Sequence, residues 1–193
     1  ARDAERWQVA HVALRDILGR RLGVSASAVA FALEANGKPR LAAADAPAFN
    51  LSHSGDYALV AVADAGPLGV DLEALKPVPE FDDVAQAHFA ADELAALRVV
   101  PETQRLDAFY RLWTRKEAYV KATGIGVGPA LARFAMSLRP EAPQLLRDDD
   151  DARAPERWRV DDLTLPSGYV GALVAPAQAG PTTVQDWTAP PAA

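Results

Sequence analysis

Acidic side chains occur in two short segments whose spacing would let them act together. Asp71 and Glu73 alternate with apolar residues in the strand-like segment 69–73, so both carboxylates face one side of the strand. Glu117 and Lys121 are four residues apart in a helix-like segment and share a helical face. Two interpretations stay open: hydrated surface charges with an ordinary ion pair, or a cation site with three oxygen ligands.

The residues around Glu117 favour the second interpretation. Trp113 and Tyr119 predict a largely buried helix, and charged groups are rarely buried without a partner. Three carboxylates would give hard oxygen ligands, suited to Mg²⁺ that shares its other positions with water and phosphate oxygens. Lys121 could then neutralise a phosphate beside the metal.

A serine–histidine pair lies in the segment Phe-Asn-Leu-Ser-His-Ser-Gly at 49–55. The glycine-flanked nucleophile of hydrolases is absent, because no glycine stands two residues before Ser52 or Ser54. Neighbouring side chains of an extended segment also point apart, so Ser52 and His53 cannot easily form a nucleophile–base pair. We expect them to donate hydrogen bonds to a phosphate, with a buried structural histidine as the alternative.

Two glycine-containing segments are further candidates for phosphate contact. Gly37, Lys38, Pro39 and Arg40 form a predicted turn with two cations and a possible close approach of the backbone. The glycine-rich segment 124–129 follows a helix and lacks the Gly-Lys-Ser/Thr ending, so we reject a nucleotide-binding P-loop there.

The hydrophobic pattern predicts an α+β fold in which helix-then-strands occurs twice. We expect one half at 1–66 and another at 67–193, with a break near Gly66–Pro67 and an extended tail after residue 176. The predicted helices are 4–22, 83–100 and 103–123, and the later strands are 134–138, 158–165 and 169–174, which we expect to form one antiparallel sheet.

Composition limits the class of protein. The 193 residues include no cysteine and three histidines, which excludes disulfides and thiolate metal sites and is typical of the cytoplasm. The net charge of -6 argues against nucleic-acid binding, and no apolar run is long enough to cross a membrane.

Four blocks, in this order, resemble the 4′-phosphopantetheinyl transferase superfamily. They are the Gly-Lys-Pro turn at 37–39, the Phe-Asn-Leu-Ser-His-Ser segment at 49–54, Gly-Val-Asp-Leu-Glu at 69–73, and the Trp-to-Gly block at 113–124. Because the serine–histidine segment precedes the aspartate block, the chain is similar to the longer Sfp-type enzymes and not to the short trimeric holo-carrier-protein synthases. That resemblance implies an intramolecular pseudo-dimer of two α/β halves, with the active site in the cleft between them, acting as a monomer.

The resemblance also implies the chemistry and the residues. The activity would be transfer of phosphopantetheine from coenzyme A to a serine of an apo acyl or peptidyl carrier protein, releasing 3′,5′-ADP. Alternatives are a non-catalytic coenzyme A or carrier-protein binding module and a metal-dependent coenzyme A pyrophosphohydrolase. The family also has a strand before the first helix, which we expect to precede residue 1. Carried over, the metal ligands are Asp71, Glu73 and Glu117; the catalytic residues are Glu117, Lys121 and His53; and the coenzyme A contacts are Arg6, Gly37, Lys38, Pro39, Arg40, Ser52, His53, Lys116 and Lys121.

Overall fold

The computed structural model describes residues 2–64, 66–126 and 129–189. Within these ranges the helices are α1 (Arg2–Leu22), α2 (Phe81–His88), α3 (Ala91–Arg98), α4 (Glu102–Thr123) and α5 (Ala154–Arg157). The strands are β1 (Phe31–Leu33), β2 (Pro39–Leu41), β3 (Ala48–Ser54), β4 (Tyr57–Ala63), β5 (Gly69–Ala74), β6 (Phe134–Met136), β7 (Leu145–Asp148), β8 (Trp158–Asp162) and β9 (Tyr169–Pro176). Val127 and Gly128 of the rejected glycine-rich loop lie outside the described residues.

A three-stranded antiparallel sheet supports the long helix α4. Its strand order is β5-β9-β8, and Asp71 lies opposite Ala172. α4 packs across β5 and β9 and buries Leu112 and Ala118 against them. The mixture of helices with small antiparallel sheets confirms the predicted α+β class.

A smaller apolar cluster lies under α1. Leu14 and Leu18 of the helix pack with Phe49 of the β3-β4 hairpin and with Leu41 of the β1-β2 hairpin. Each predicted half thus has its own buried cluster. The division at residue 66 and the pseudo-dimer stay predictions.

Two predicted elements differ from the structure. The helix expected over 83–100 is two helices, because Ala90 is extended (ψ 158°) and the Glu93 carboxylate accepts a hydrogen bond from its amide at 2.7 Å. The strand predicted near residue 134, β6, does not join the sheet of β8 and β9, because it pairs with β7. The sequence did not predict β7, since this strand ends at the acidic run that begins with Asp148. Only the pairing with β6 identifies the segment 145–148 as a strand.

The tail after β9 has neither helix nor strand over 177–189, as predicted, yet it contacts the body of the protein. The Trp187 indole Nε1 donates to Asp16 Oδ2 of α1 at 2.7 Å. In the described ranges, no helix has both the length and the apolar character that a membrane crossing requires.

Candidate active site

Gly69 sets the distance between β5 and α4. A Cβ at this position would stand 2.0 Å from the carbonyl oxygen of Ala118 and 2.4 Å from the amide nitrogen of Ala122. Both atoms belong to the backbone and cannot rotate away, so any larger residue would force the helix off the strand. This close contact brings the Glu117–Lys121 face of α4 onto the carboxylates of β5.

β3 is joined to β5 by side chains. Asn50 Oδ1 accepts a hydrogen bond from the Val70 amide at 2.8 Å, and Ser52 Oγ accepts one from the Leu72 amide at 3.3 Å. Ser54 Oγ does the same for the amide of Ala74, at 3.1 Å. The constant offset of partners means that the two strands run in the same direction, with alternate β3 side chains replacing a backbone ladder.

Asp71 lies at the centre of a polar cluster. Its Oδ1 accepts hydrogen bonds from Lys121 Nζ at 2.6 Å and from Ser52 Oγ at 2.9 Å. Lys121 Nζ also contacts Ser52 Oγ and the carbonyl oxygen of Val70, each at 3.2 Å. The other carboxylate oxygen, Asp71 Oδ2, is buried and has no hydrogen-bond partner among the described residues.

Glu73 and Glu117 complete the acidic group. Ser54 Oγ donates to Glu73 Oε2 at 2.9 Å, whereas Glu117 Oε1 is buried without a partner. Burial raises the pKa of Glu117, and the charges of Asp71 and Glu73 raise it further. Burial likewise raises the pKa of Asp71 and of Glu73. Glu117 and Glu73 thus each feel the charge of Asp71, and Lys121 is a cation that acts on all three carboxylates.

The carboxylate oxygens of Asp71, Glu73 and Glu117 are the type of ligand that a hard divalent cation prefers. Two buried carboxylate oxygens, on Asp71 and Glu117, lack partners, and buried unpaired charge is costly unless a cation or a proton offsets it. Among the described residues, no three histidine or acidic side chains already stand at metal-ligand spacing. Asp71, Glu73 and Glu117 offer the oxygen donors that Mg²⁺ prefers, and their assignment as ligands stays a prediction.

The cationic turn lies against the same elements. Gly37 has the positive φ of 84° that its turn requires, and Lys38 Nζ donates to the carbonyl oxygen of Leu68 at 2.9 Å and to that of Lys121. A cavity of about 600 Å³ lies next to it, and its lining includes Lys38, Pro39, Arg40 and Trp158 together with the acidic residues Glu34, Asp148, Asp150 and Asp151. That volume is in the range of small-molecule sites. Asp71, Glu73 and Glu117 are not among its described lining residues.

Lys116 does not lie at this site. It is 1% exposed, and its Nζ donates to both carboxylate oxygens of Glu93 and to the carbonyl oxygen of Phe134. These three partners use all its donors. The expected contact of Lys116 with coenzyme A is therefore wrong, and its role is to fasten α4 to α3 and β6.

The other predicted contacts have varied surroundings. Ser52 is buried and already bonded within the protein, so donation to a phosphate would require it to release Asp71. His53 is exposed on β3, where the pleat turns it away from Ser52, as predicted. Arg6 Nε donates to Asp56 Oδ1 at 2.9 Å, next to the β3-β4 turn. No observation tests a coenzyme A contact for His53 or Arg6.

Sequence reasoning missed three positions that join the elements of the site. Asn50 and Ser54 belong to the matched segment, yet their period-two spacing with Ser52 was not read as a face that bonds another strand. Gly69 was matched as part of a motif, without the helix contact that requires it. The alternation at 50, 52 and 54 was the available signal for the first two.

Fold and site together define an α+β protein with a buried carboxylate cluster, a cationic turn that bonds the segment before β5 and the helix α4, and a ligand-sized cavity next to that turn. The family model described as "4′-phosphopantetheinyl transferase superfamily" matches residues 67–174, and the chain belongs to that superfamily.

Individual relatives agree with this assignment. The chain is 42% identical over 137 residues to the 4′-phosphopantetheinyl transferase HetI of Nostoc, covering 69% of this chain and 57% of HetI. It is 30% identical over 139 residues to the 4′-phosphopantetheinyl transferase Sfp of Bacillus subtilis, covering 72% and 61%. It thus spans about three fifths of these relatives' length.

A solved structure is also similar. The holo-(acyl-carrier-protein) synthase of Bacillus anthracis, in complex with CoA (3′,5′-ADP), aligns with a TM-score of 0.45 at 19% identity over 57% of this chain and 94% of that chain.

Proposed function

We propose that this protein transfers the 4′-phosphopantetheine group of coenzyme A to a serine of an apo carrier protein, with release of 3′,5′-ADP. The observation that supports this most strongly is the convergence of all four motif blocks. Lys38 of the first bonds the α4 backbone, Ser52 of the second bonds Asp71 of the third, and Asp71 bonds Lys121 of the fourth. Membership of the superfamily supports the reaction class.

The carboxylate group supports magnesium dependence. Asp71, Glu73 and Glu117 would hold the ion, which would supply charge neutralisation for the pyrophosphate of coenzyme A. The serine oxygen of the carrier forms a bond to the β-phosphorus, and the bond from that phosphorus to the oxygen of 3′,5′-ADP breaks. Most of the catalysis in such a step comes from positioning and from offsetting charge on the phosphoryl oxygens.

The chain's own residues have separate tasks in this proposal. Glu117, on the helical face that meets β5, takes the proton of the serine hydroxyl. Lys121 offsets phosphate charge from the end of the same helical face, and exposed His53 contributes a further donor. The cavity beside Lys38, Pro39 and Arg40 would receive the nucleotide end of coenzyme A. The monomeric state and the cytoplasmic location stay predictions.

Intact-mass measurement of a carrier protein tests the proposal. The protein is incubated with coenzyme A, Mg²⁺ and an apo carrier, and we expect the carrier to gain one phosphopantetheine. Asp71→Ala and Glu117→Ala should abolish the gain, whereas Glu102→Ala, an exposed glutamate on the same helix, should keep it. Pyrophosphate cleavage without a mass gain would instead indicate a hydrolase, and binding of coenzyme A without reaction would indicate a binding module.

A further inference from the structure

Ser52 and Ser54 make the same pair of hydrogen bonds, one to an amide and one to a carboxylate of β5. Each Oγ accepts a hydrogen bond from a β5 amide, which orients the hydroxyl hydrogen towards a neighbouring acceptor. For Ser52 that acceptor is Oδ1 of Asp71, and for Ser54 it is Oε2 of Glu73, both at 2.9 Å. Two β3 hydroxyls, two residues apart, therefore contact two β5 carboxylates that are also two residues apart.

This pairing tethers one oxygen of each carboxylate and leaves the other available. Asp71 shows the result directly, since Oδ1 is bonded while Oδ2 is buried and has no partner. A carboxylate tethered in this way presents its remaining oxygen in a set direction. Hydrogen bonds to metal-ligating carboxylates commonly change metal affinity or activity by about 10–100-fold when they are removed.

We infer that Ser54, acting with Ser52, is a positioning residue that orients the carboxylates of β5 towards a divalent cation. The inference deepens the proposed function, because it rests on the cation site proposed there. Ser54 is the sharper test of the two serines. Ser52 also contacts Lys121, so its removal would disturb the lysine as well as Asp71, whereas Ser54 bonds Glu73 and the Ala74 amide alone.

Calorimetric titration of Mn²⁺ into the full chain, without coenzyme A, tests the inference. Ser54→Ala should weaken Mn²⁺ binding by roughly 10-fold, and Ser54→Thr, which keeps the hydroxyl, should restore it. Ser137→Ala is the matched control. Its buried hydroxyl likewise donates to a carbonyl oxygen, at 2.7 Å, and accepts from an amide, at 3.0 Å, but in the β6-β7 connection. That variant should bind Mn²⁺ as the wild type does.

Three results would overturn the inference: equal Mn²⁺ affinity in Ser54→Ala and wild type, an equal loss in Ser137→Ala, or no Mn²⁺ binding by the wild type. The carrier-mass assay separates this failure from failure of the proposed function. Phosphopantetheine transfer by a wild type whose Mn²⁺ affinity does not depend on Ser54 removes only the positioning role. Absence of transfer removes the function, whatever the titration gives.

Discussion

Gly69 lies so close to the Ala118 carbonyl oxygen that a Cβ would stand 2.0 Å from it, and no side chain fits between strand β5 and helix α4. Asp71 and Glu73 follow Gly69 by two and four residues, while Glu117 and Lys121 flank Ala118 on the helix. This close contact brings the two pairs of charged groups together, and Lys121 bonds Asp71 across it at 2.6 Å. The glycine is a requirement of geometry, separate from any contact with substrate.

Replacing Gly69 by alanine should separate α4 from β5. The new methyl group meets backbone atoms that cannot give way, and overpacking of this kind typically costs about 1–3 kcal/mol, occasionally more. We expect a lower unfolding midpoint in urea and loss of Mn²⁺ binding. Gly180→Ala is the control, since a Cβ there meets nothing within 4 Å. If Gly69→Ala is as stable as the control, the close contact does not constrain the site.

Lys116 should matter for stability and not for coenzyme A. Lys116→Met leaves Glu93 as an unpaired buried charge, which typically costs about 3–5 kcal/mol. Adding Glu93→Gln removes that charge but keeps an acceptor for only one of the Ala90 and Met136 amides, since these bond different carboxylate oxygens, so the double variant should regain part of the free energy of unfolding. Its KM for coenzyme A should equal that of the wild type. A raised KM in this folded double variant would restore Lys116 as a substrate contact.

Glu117→Gln should stabilise the protein while abolishing transfer. Burial, with the charges of Asp71 and Glu73, holds the pKa of Glu117 above its ordinary value. The folded state then binds this proton more tightly than the unfolded chain, so stability falls as pH rises above the ordinary pKa of a glutamate. Without divalent ions, the variant should gain roughly 2–4 °C in Tm at pH 8, corresponding to about 1 kcal/mol, and less at pH 4.5.

Calorimetric scans at the two pH values measure this difference, with the exposed Glu102→Gln as control. Mg²⁺ should raise the Tm of the wild type more than that of Glu117→Gln, because ligand binding to the folded state adds stability. If Glu117→Gln gains more in Tm at pH 4.5 than at pH 8, the pKa of Glu117 is not raised in the folded protein.

The sequence was informative where a local period or a motif determines the geometry. Strand alternation placed Asp71 and Glu73 on one face, and helical spacing placed Glu117 with Lys121. The sequence was uninformative where a partner distant in the chain determines the position of a side chain. The sequence around Lys116 is like that around a site residue, because Lys116 is next to Glu117. Its side chain lies away from the site because it bonds Glu93, which is 23 positions earlier in the chain. The position of Glu93 depends in turn on the break between α2 and α3 at Ala90.

The same limit applies to strand pairing. β6 and β7 are short, and β7 ends in a run of aspartates, so propensity did not distinguish it from a loop. Its place follows from the partner strand. Likewise, the junction of β3 with β5 uses side chains instead of a ladder, a pattern that no hydrophobic period reveals.

The convergence of three carboxylates on one divalent ion is most directly tested by anomalous scattering from crystals grown with Mn²⁺. We predict one peak within bonding distance of Asp71 Oδ2 and Glu117 Oε1, the two buried oxygens that lack partners, with Glu73 completing the protein ligands. A crystal saturated with Mn²⁺ in which the peak lies elsewhere, or in which Glu117 does not bind the ion that Asp71 binds, would contradict the proposed site and the mechanism that depends on it.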